Sequence, residues 1–550
     1  MSNILGRPRL ICIDRYKKID ERIFVYYNVH YINCERAKMP PIPERATPRE
    51  WMGLAVLALP TLLVSMDMTI LYLALPSLSM ELHPSGAQLL WISDIYAFVL
   101  AAVLIPMGAL GDRIGRRKLL LWGSVGFCAS SIFAGFASSA EQLILARALL
   151  GVSGATLLPS TLAMIRHMFL QPQERTLAIG IWATCFTLGG VLGPLLGGVL
   201  LSYFHWGSVF FAAVPIMLVL VLAGPALLPE IREPSSRKVD ATSVVQLMLA
   251  VLAGTYAMKD AASHGVGWIP VMLLVVAVTL GAAFLRRQKS VASPLVQLAL
   301  FRSTAFSTAM TANALALFAW VGASLLVAQH IQLVLGLRAM PAALWMLPSA
   351  LACMAGCLAA PGLARSWWSG RIITVGLFLA TLGLGVLAAL AHRAGLAAIV
   401  PAMMLLGFGV SLIVTLSTDI ILSEAPPEMA GSASSLSETA ADLGGALGVA
   451  VLGSVGLAVY RFRMTLPSGM DSGQRASAMD GLSGAVHSAA SMPDGTGAWL
   501  LEAARSAHGQ GLGIATGVGA MLLLVMAFLS WSTIGCSLQQ STKFKGGNNA

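Results

Sequence analysis

Gly108-Ala109-Leu110-Gly111-Asp112-Arg113-Ile114-Gly115-Arg116-Arg117-Lys118 decides how this chain is read. The stretch stands between two apolar runs, 89–110 and 119–138, each close to the ~20 residues a helix needs to cross a bilayer. Its glycines let two helices approach closely and turn sharply. Asp112 can meet the positive end of a neighbouring helix, and the arginines can hold acidic groups across a gap. Such a clasp between spans suits a latch with two positions. Basic residues packed into a short inter-span turn also mark the cytoplasmic side of a membrane protein.

Outward from this turn the pattern repeats. The chain has 550 residues, 57% of them hydrophobic and 11% charged, where a soluble domain carries about 25% charged residues. Lipid is the solvent that tolerates such a composition. Apolar runs of spanning length fall at 51–75, 89–110, 119–138, 142–165, 175–201, 206–228, 241–258, 268–285, 304–328, 341–363, 371–391, 397–421, 431–458 and 512–535, which predicts fourteen transmembrane helices in an all-α integral membrane protein.

The net charge of +10 does not point to nucleic acid. The basic residues sit in short clusters between spans, with no continuous face to track phosphates. Arg113/Arg116/Arg117/Lys118, Arg166/Arg175, Arg232/Arg237/Lys238, Arg286/Arg287/Lys289/Arg302 and Arg365/Arg371 fall in alternate loops, which places those loops and both termini in the cytoplasm. The loop 422–430 departs from the pattern, with Glu424 and Glu428 only. Residues 1–50 lack the clean apolar core of a secretory signal. They read as a basic cytoplasmic tail, or as a start placed upstream of a true initiator at Met39. The polar stretch 459–511 reads as an external loop, too short for a core of its own. Within it, 497–508 is predicted as a short amphipathic helix covering the outer face. The scattered cysteines, Cys353 and Cys357 among them, read as small packing residues.

Further motifs accompany the basic turn: Ser65-Met66-Asp67-Met68-Thr69 through Pro76 in the first span, Leu145-Ala146-Arg147 through Gly151 and Gly154-Ala155 in the fourth, and Gly189-Gly190-Val191-Leu192-Gly193-Pro194-Leu195-Leu196-Gly197-Gly198 in the fifth. Gly189, Gly193 and Gly197 recur every fourth residue, so they line one helix face where another backbone can pack. Pro194 removes a donor and invites a kink. In these motifs the chain resembles the major facilitator superfamily over roughly residues 50–536. It is most similar to its fourteen-span drug:proton antiporters. Trp91-Ile92-Ser93-Asp94-Ile95-Tyr96 and the segment Glu438 to Gly448 look most like quaternary ammonium and methyl viologen exporters. The resemblance implies two six-helix bundles, 51–228 and 304–536, with two additional central helices in 229–303 and a tail over 537–550. It also implies a monomer in a bacterial inner membrane, without cofactor, driven by the proton gradient.

Ionisable groups inside lipid cost at least about 2.5–3.5 kcal/mol each and are usually functional. Asp67 and Arg147 are predicted to share a depth in the outer half. A carboxylate beside an arginine keeps its charge; moved away into a low dielectric it takes a proton. Exchange of that carboxylate between arginine, proton and cation would couple proton entry to cation exit. Glu438 and Asp442, one turn apart, form a second acidic site. The resemblance gives Glu438 a functional role, and Asp442 reads as its support or as a solvated residue. Asp94 reads as a substrate contact or a wetted helix end. Asp419 reads equally as an entry-side group or a helix-end residue. Tyr96, Trp182 and Phe186 are the rings best placed to hold a lipophilic cation. The expected function is export of organic cations against protons. A major facilitator exporter of a neutral or other natural compound is the alternative. A membrane enzyme is disfavoured: no nucleophile–base set, metal-ligand spacing or phosphate-binding GxxxxGK[ST] loop occurs, and neither nucleotide nor nucleic acid is expected as a partner.

Overall fold

The computed structural model describes residues 45–546 other than 85, 233–239, 265–266, 292–293, 297, 338, 391–394, 427–428 and 468–469. The tail proposed for the first fifty residues therefore lies almost wholly outside the described residues. Among those described there are helices and no strands. In chain order they are α1 (Pro48–Leu82), α2 (Gly86–Ile114), α3 (Arg116–Gly135), α4 (Ala140–Met168), α5 (Pro172–Tyr203), α6 (Ser208–Phe211), α7 (Ala213–Leu227), α8 (Ala241–His264) and α9 (Trp268–Ser290). There follow α10 (Thr304–Gln329), α11 (Ala339–Ser366), α12 (Ser369–Leu390), α13 (Leu396–Glu424), α14 (Ala430–Arg463), α15 (Ser472–Asp480), α16 (Leu482–Ala490) and α17 (Asp494–Gly546). Among the described residues fourteen spans are long and apolar enough to cross a bilayer, α6 and α7 forming one of them. Each matches a run read from the sequence.

Local chemistry sets the helix starts. Thr47 and Glu50 form a capping box before α1, with Pro48 in its first turn. Ser139 and Ser303 accept the Gln142 and Phe306 N–H groups at the starts of α4 and α10. Such caps satisfy donors that have no intrahelical partner.

Two apolar cores divide the spans. One is built from α1 to α7, the other from α10 to α14 with α17. The hairpin α8–α9 lies at the margin: Val251 of α8 joins the first core, and α8 packs against α2 and α14. Burial follows position: the most apolar stretch of α4 is 83% buried and that of α9 only 11%, so α4 is a central helix and α9 a rim helix. The base of the hairpin is tied by Arg287, whose guanidinium meets the Asp240 carboxylate at 2.5 and 3.0 Å. These bonds and that from Ser243 hold Asp240 well below the ordinary carboxylate range. Its contribution is therefore complete above about pH 4 and declines only in stronger acid.

The spans give two faces. The face carrying the α2–α3 turn is here called the latch face; the other carries the segment between α14 and α17. On that second face the structure departs from expectation. Residues 497–508 are not a separate helix but the first turns of α17. Gly509 and Gly511 do not break the helix, because Gly511 serves packing instead: a Cβ there would stand 2.5 Å from the Gly456 carbonyl of α14. The segment also does build a core. Tyr460, Met464, Ala478, Leu482, Ala485 and Leu500 bury one another, completed by Leu333 and Val334 from the turn after α10. The Tyr460 hydroxyl donates to the Ala478 carbonyl at 2.8 Å.

Within the second bundle α10 and α14 meet through glycine. A Cβ on Gly448 would run into the Phe318 carbonyl, whereas one on Gly453 would meet nothing within 4 Å. Gly448→Ile is expected to destabilise the purified protein by about 1–3 kcal/mol, read as an earlier unfolding transition in detergent, while Gly453→Ala leaves it unchanged.

Candidate transport site

Asp67 and Arg147 meet. The Arg147 guanidinium lies 2.5 Å from the Asp67 carboxylate, the two residues 1% and 6% exposed respectively. Arg147 also donates to the Ile92 carbonyl at 3.4 Å, and its guanidinium lies over the Tyr96 ring, 4.7 Å from the centroid. The pair is fixed from behind by the glycine face of α5. A Cβ on Gly189 would run into the Leu62 carbonyl, and one on Gly193 would stand 2.8 Å from the Met66 carbonyl. Those contacts grip α1 on the turns around Asp67. Gly197 is buried on the same face, Gly198 is half-buried, and α5 continues unbroken through Pro194.

Glu438 and Asp442 lie one turn apart on α14, both half-buried and close enough to interact as charges. Among the described residues neither has an ion-pair partner. α14 packs against α2 and α4 of the other bundle. Counted along the helices at about 1.5 Å per residue, Asp442 stands about 18 Å above the latch-face start of α14, and Tyr96 about 15 Å below the opposite-face start of α2. They meet near mid-depth, and Asp67, Arg147 and Asp442 all lie within electrostatic reach of the Tyr96 hydroxyl. The two acidic centres read separately from the sequence are thus neighbours across the bundle boundary.

The aromatic residues divide. Tyr96 is 1% exposed and Trp182 4%. The Trp182 indole N–H donates to Thr161 at 3.0 Å, and its ring stacks on Phe186. Enclosed in this way, Tyr96 and Trp182 do not present faces to a substrate in this conformation, whereas Phe186 is half-buried. Asp94 is half-buried on α2, two residues from Tyr96 and therefore on another face.

The basic turn forms a compact clasp. Asp112 pairs with the 1%-exposed Arg116 and accepts a long hydrogen bond of 3.5 Å from Ser432 in the first turn of α14. The Arg116 guanidinium occupies the space a side chain at Gly431 would need, and Gly108 likewise abuts Ser435. Gly111 abuts Arg116. Gly115, at φ +113°, makes the turn in a conformation that other residues avoid. Arg117 holds the end of α7 through the Pro225 and Leu228 carbonyls, both at 3.1 Å, and Glu230 at 3.4 Å. Arg113 is exposed, with its carbonyl accepting from Arg232.

One contact was not foreseen. Arg175, counted in the sequence only as a loop charge, pairs with Asp419 at 2.7 Å, and the Thr176 hydroxyl donates to the same carboxylate at 2.8 Å. Arg166 donates to the Ala425 carbonyl. Both arginines reach from the first bundle into the second on the latch half. A signal did exist: the start of α5 and the end of α13 reach the same face and carry opposite charges.

Two membrane-length bundles, meeting through polar contacts on one half and enclosing charges at mid-depth, define a helical membrane transporter. Residues 57–449 match the Major Facilitator Superfamily, and the chain belongs to that family. It is 42% identical over 487 residues to the multidrug efflux pump LfrA of Mycolicibacterium smegmatis, covering 88% of this chain and 97% of that one. It is 34% identical over 489 residues to the methyl viologen resistance protein SmvA of Salmonella typhimurium, covering 88% and 98%. The human organic anion transporter MFSD10 (TETRAN) shares the fold, with a TM-score of 0.60 at 14% identity over 88% of this chain and all of that one. The chain is accordingly a transporter and not an enzyme.

Removing one partner of an enclosed ion pair strands the other, typically at about 3–5 kcal/mol. Asp419→Asn and Arg175→Gln are each expected to loosen the latch half, read as faster labelling of a cysteine placed between α5 and α13. The charge-swapped double variant, Arg175→Asp with Asp419→Arg, should restore much of the protection.

Proposed function

We propose that the protein is a proton-coupled efflux antiporter for lipophilic organic cations, such as quaternary ammonium compounds, methyl viologen and cationic dyes. It works in the bacterial inner membrane with the latch face and both termini in the cytoplasm. The observation that carries this reading is the enclosed Asp67–Arg147 pair beside Asp442. The intramembrane groups left without a partner among the described residues are acidic, which suits a cation and not an anion. The names of the pumps it resembles point the same way.

Most of the bonds described across the bundle boundary lie on the latch half, Arg175–Asp419, Arg166–Ala425 and Asp112–Ser432, with a Thr187–Cys353 contact of 3.7 Å further along α5. With that half closed, the conformation corresponds to one facing outward. A proton arriving from outside neutralises Asp67, and the guanidinium of Arg147 loses its anion. A cation held near Glu438 and Asp442 then leaves to the outside. Breaking the latch-half contacts exposes the same groups to the cytoplasm, where Asp67 releases its proton and returns to Arg147. A new cation then enters the acidic site. Both ligands bias one two-state element, which is what coupling requires. No covalent chemistry and no cofactor enter the cycle.

Ethidium uptake into inverted membrane vesicles tests this reading. Energised vesicles should accumulate the dye, a protonophore should abolish accumulation, and Asp67→Asn should lower the rate more than about tenfold, the scale of a lost buried charge partner. Accumulation indifferent to the protonophore would contradict it.

A further inference from the structure

Tyr96 is fully buried at the meeting point of the two acidic centres, and its hydroxyl makes no hydrogen bond among the described residues. A buried hydroxyl left in that state is destabilising. Space for it has nevertheless been made. On α4 a Cβ at Gly151 would stand 2.7 Å from the Tyr96 carbonyl oxygen, and one at Gly154 would stand 3.1 Å from the hydroxyl itself. Those two glycines lie in the fourth-span motif, and their packing role is to receive this tyrosine. The ring is held by the Arg147 guanidinium over its face. The charged groups within reach come from three helices: Asp67 on α1, Arg147 on α4 and Asp442 on α14.

We infer that the Tyr96 hydroxyl is a positioning group linking the two centres, reporting the state of Asp67–Arg147 to the Asp442 carboxylate. While Asp67 is ionised, Arg147 is committed to it, and Tyr96 donates weakly or not at all, leaving Asp442 open to a cation. Once Asp67 carries a proton, the freed guanidinium donates an N–H to the Tyr96 oxygen. That bond polarises the O–H, which donates more strongly to Asp442, because hydrogen bonds in series strengthen one another. The carboxylate is then occupied by a hydroxyl and gives up its cation. No proton leaves the tyrosine; the transported proton stays on Asp67. This assignment rests on the antiport reading and adds to it a route by which the two ligands sense each other. It also replaces the expectation that Tyr96 touches substrate.

Tyr96→Phe is the direct test, since it deletes the hydroxyl and keeps the ring under Arg147. The readout is the number of protons released into unbuffered solution per tetraphenylphosphonium bound to the purified protein. The variant should bind the cation in alkaline solution within about twofold of wild type, yet release less than about half the protons, because the series bond is gone. In the Asp442→Asn background the same substitution should change nothing further. If Tyr96→Phe does not purify as a folded protein, Gly154→Ala, which presses on the hydroxyl, should reduce proton release in the same direction. Wild-type proton release from Tyr96→Phe would overturn the link while leaving antiport standing. Absence of proton release from the wild type would instead overturn antiport itself.

Discussion

A guanidinium and a carboxylate withdrawn from water into a low-dielectric interior must find each other or be neutralised, and the pair Asp67–Arg147 imposes that condition on the rest of this molecule. Each ion alone would carry a penalty of several kcal/mol. Together they are tolerated at 1% and 6% exposure, but only while α1 and α4 hold their register. The glycine face of α5 provides this on one side, gripping α1 at Leu62 and Met66. On the other side Gly151 and Gly154 of α4 admit α2 and its tyrosine. Two glycine motifs that look like generic helix packing are thus both built around one ion pair.

The same constraint explains why closure rests on few, reversible contacts. A transporter needs two arrangements of similar free energy, so the boundary between its bundles cannot be sealed by a continuous apolar core. Here the two cores stay largely within their own bundles. The boundary on the latch half is instead crossed by ion pairs and by arginine bonds to helix-end carbonyls. Such contacts are short-ranged and exchange readily for water when the half opens. The Asp112–Arg116 clasp acts at the edge of this seam, facing the first turn of α14 where unpaired N–H groups favour a carboxylate.

Much of the fold was legible in the sequence because the bilayer is so restrictive a solvent. Fourteen apolar runs gave fourteen spans, and the motif glycines announced close packing. What escaped was pairing between distant elements. Asp419 was recognised as a charge near a helix end, but its partner Arg175 read as one more basic loop residue, since hydropathy reports depth and not azimuth. The two acidic centres read as separate sites for the same reason, whereas α14 crossing beside α2 and α4 makes them neighbours. The separate helix expected over 497–508 instead runs on through Gly509 and Gly511 into the rest of α17. Only the approach to Gly456 reveals what Gly511 does. The aromatic residues Tyr96 and Trp182 showed the right chemistry for a cation, but burial by neighbours is not visible along the chain.

In the proposed cycle, proton and organic cation compete through the carboxylate of Asp67. The pH dependence of tetraphenylphosphonium binding to purified wild-type protein and to Asp67→Asn measures this most directly. Wild-type affinity should weaken by up to about tenfold per pH unit as the solution is acidified, the limit for one titrating group. Asp67→Asn should bind with a clearly shallower pH dependence over that range, that of the acidic site on α14 alone. An undiminished pH dependence in Asp67→Asn would rule out coupling through this carboxylate.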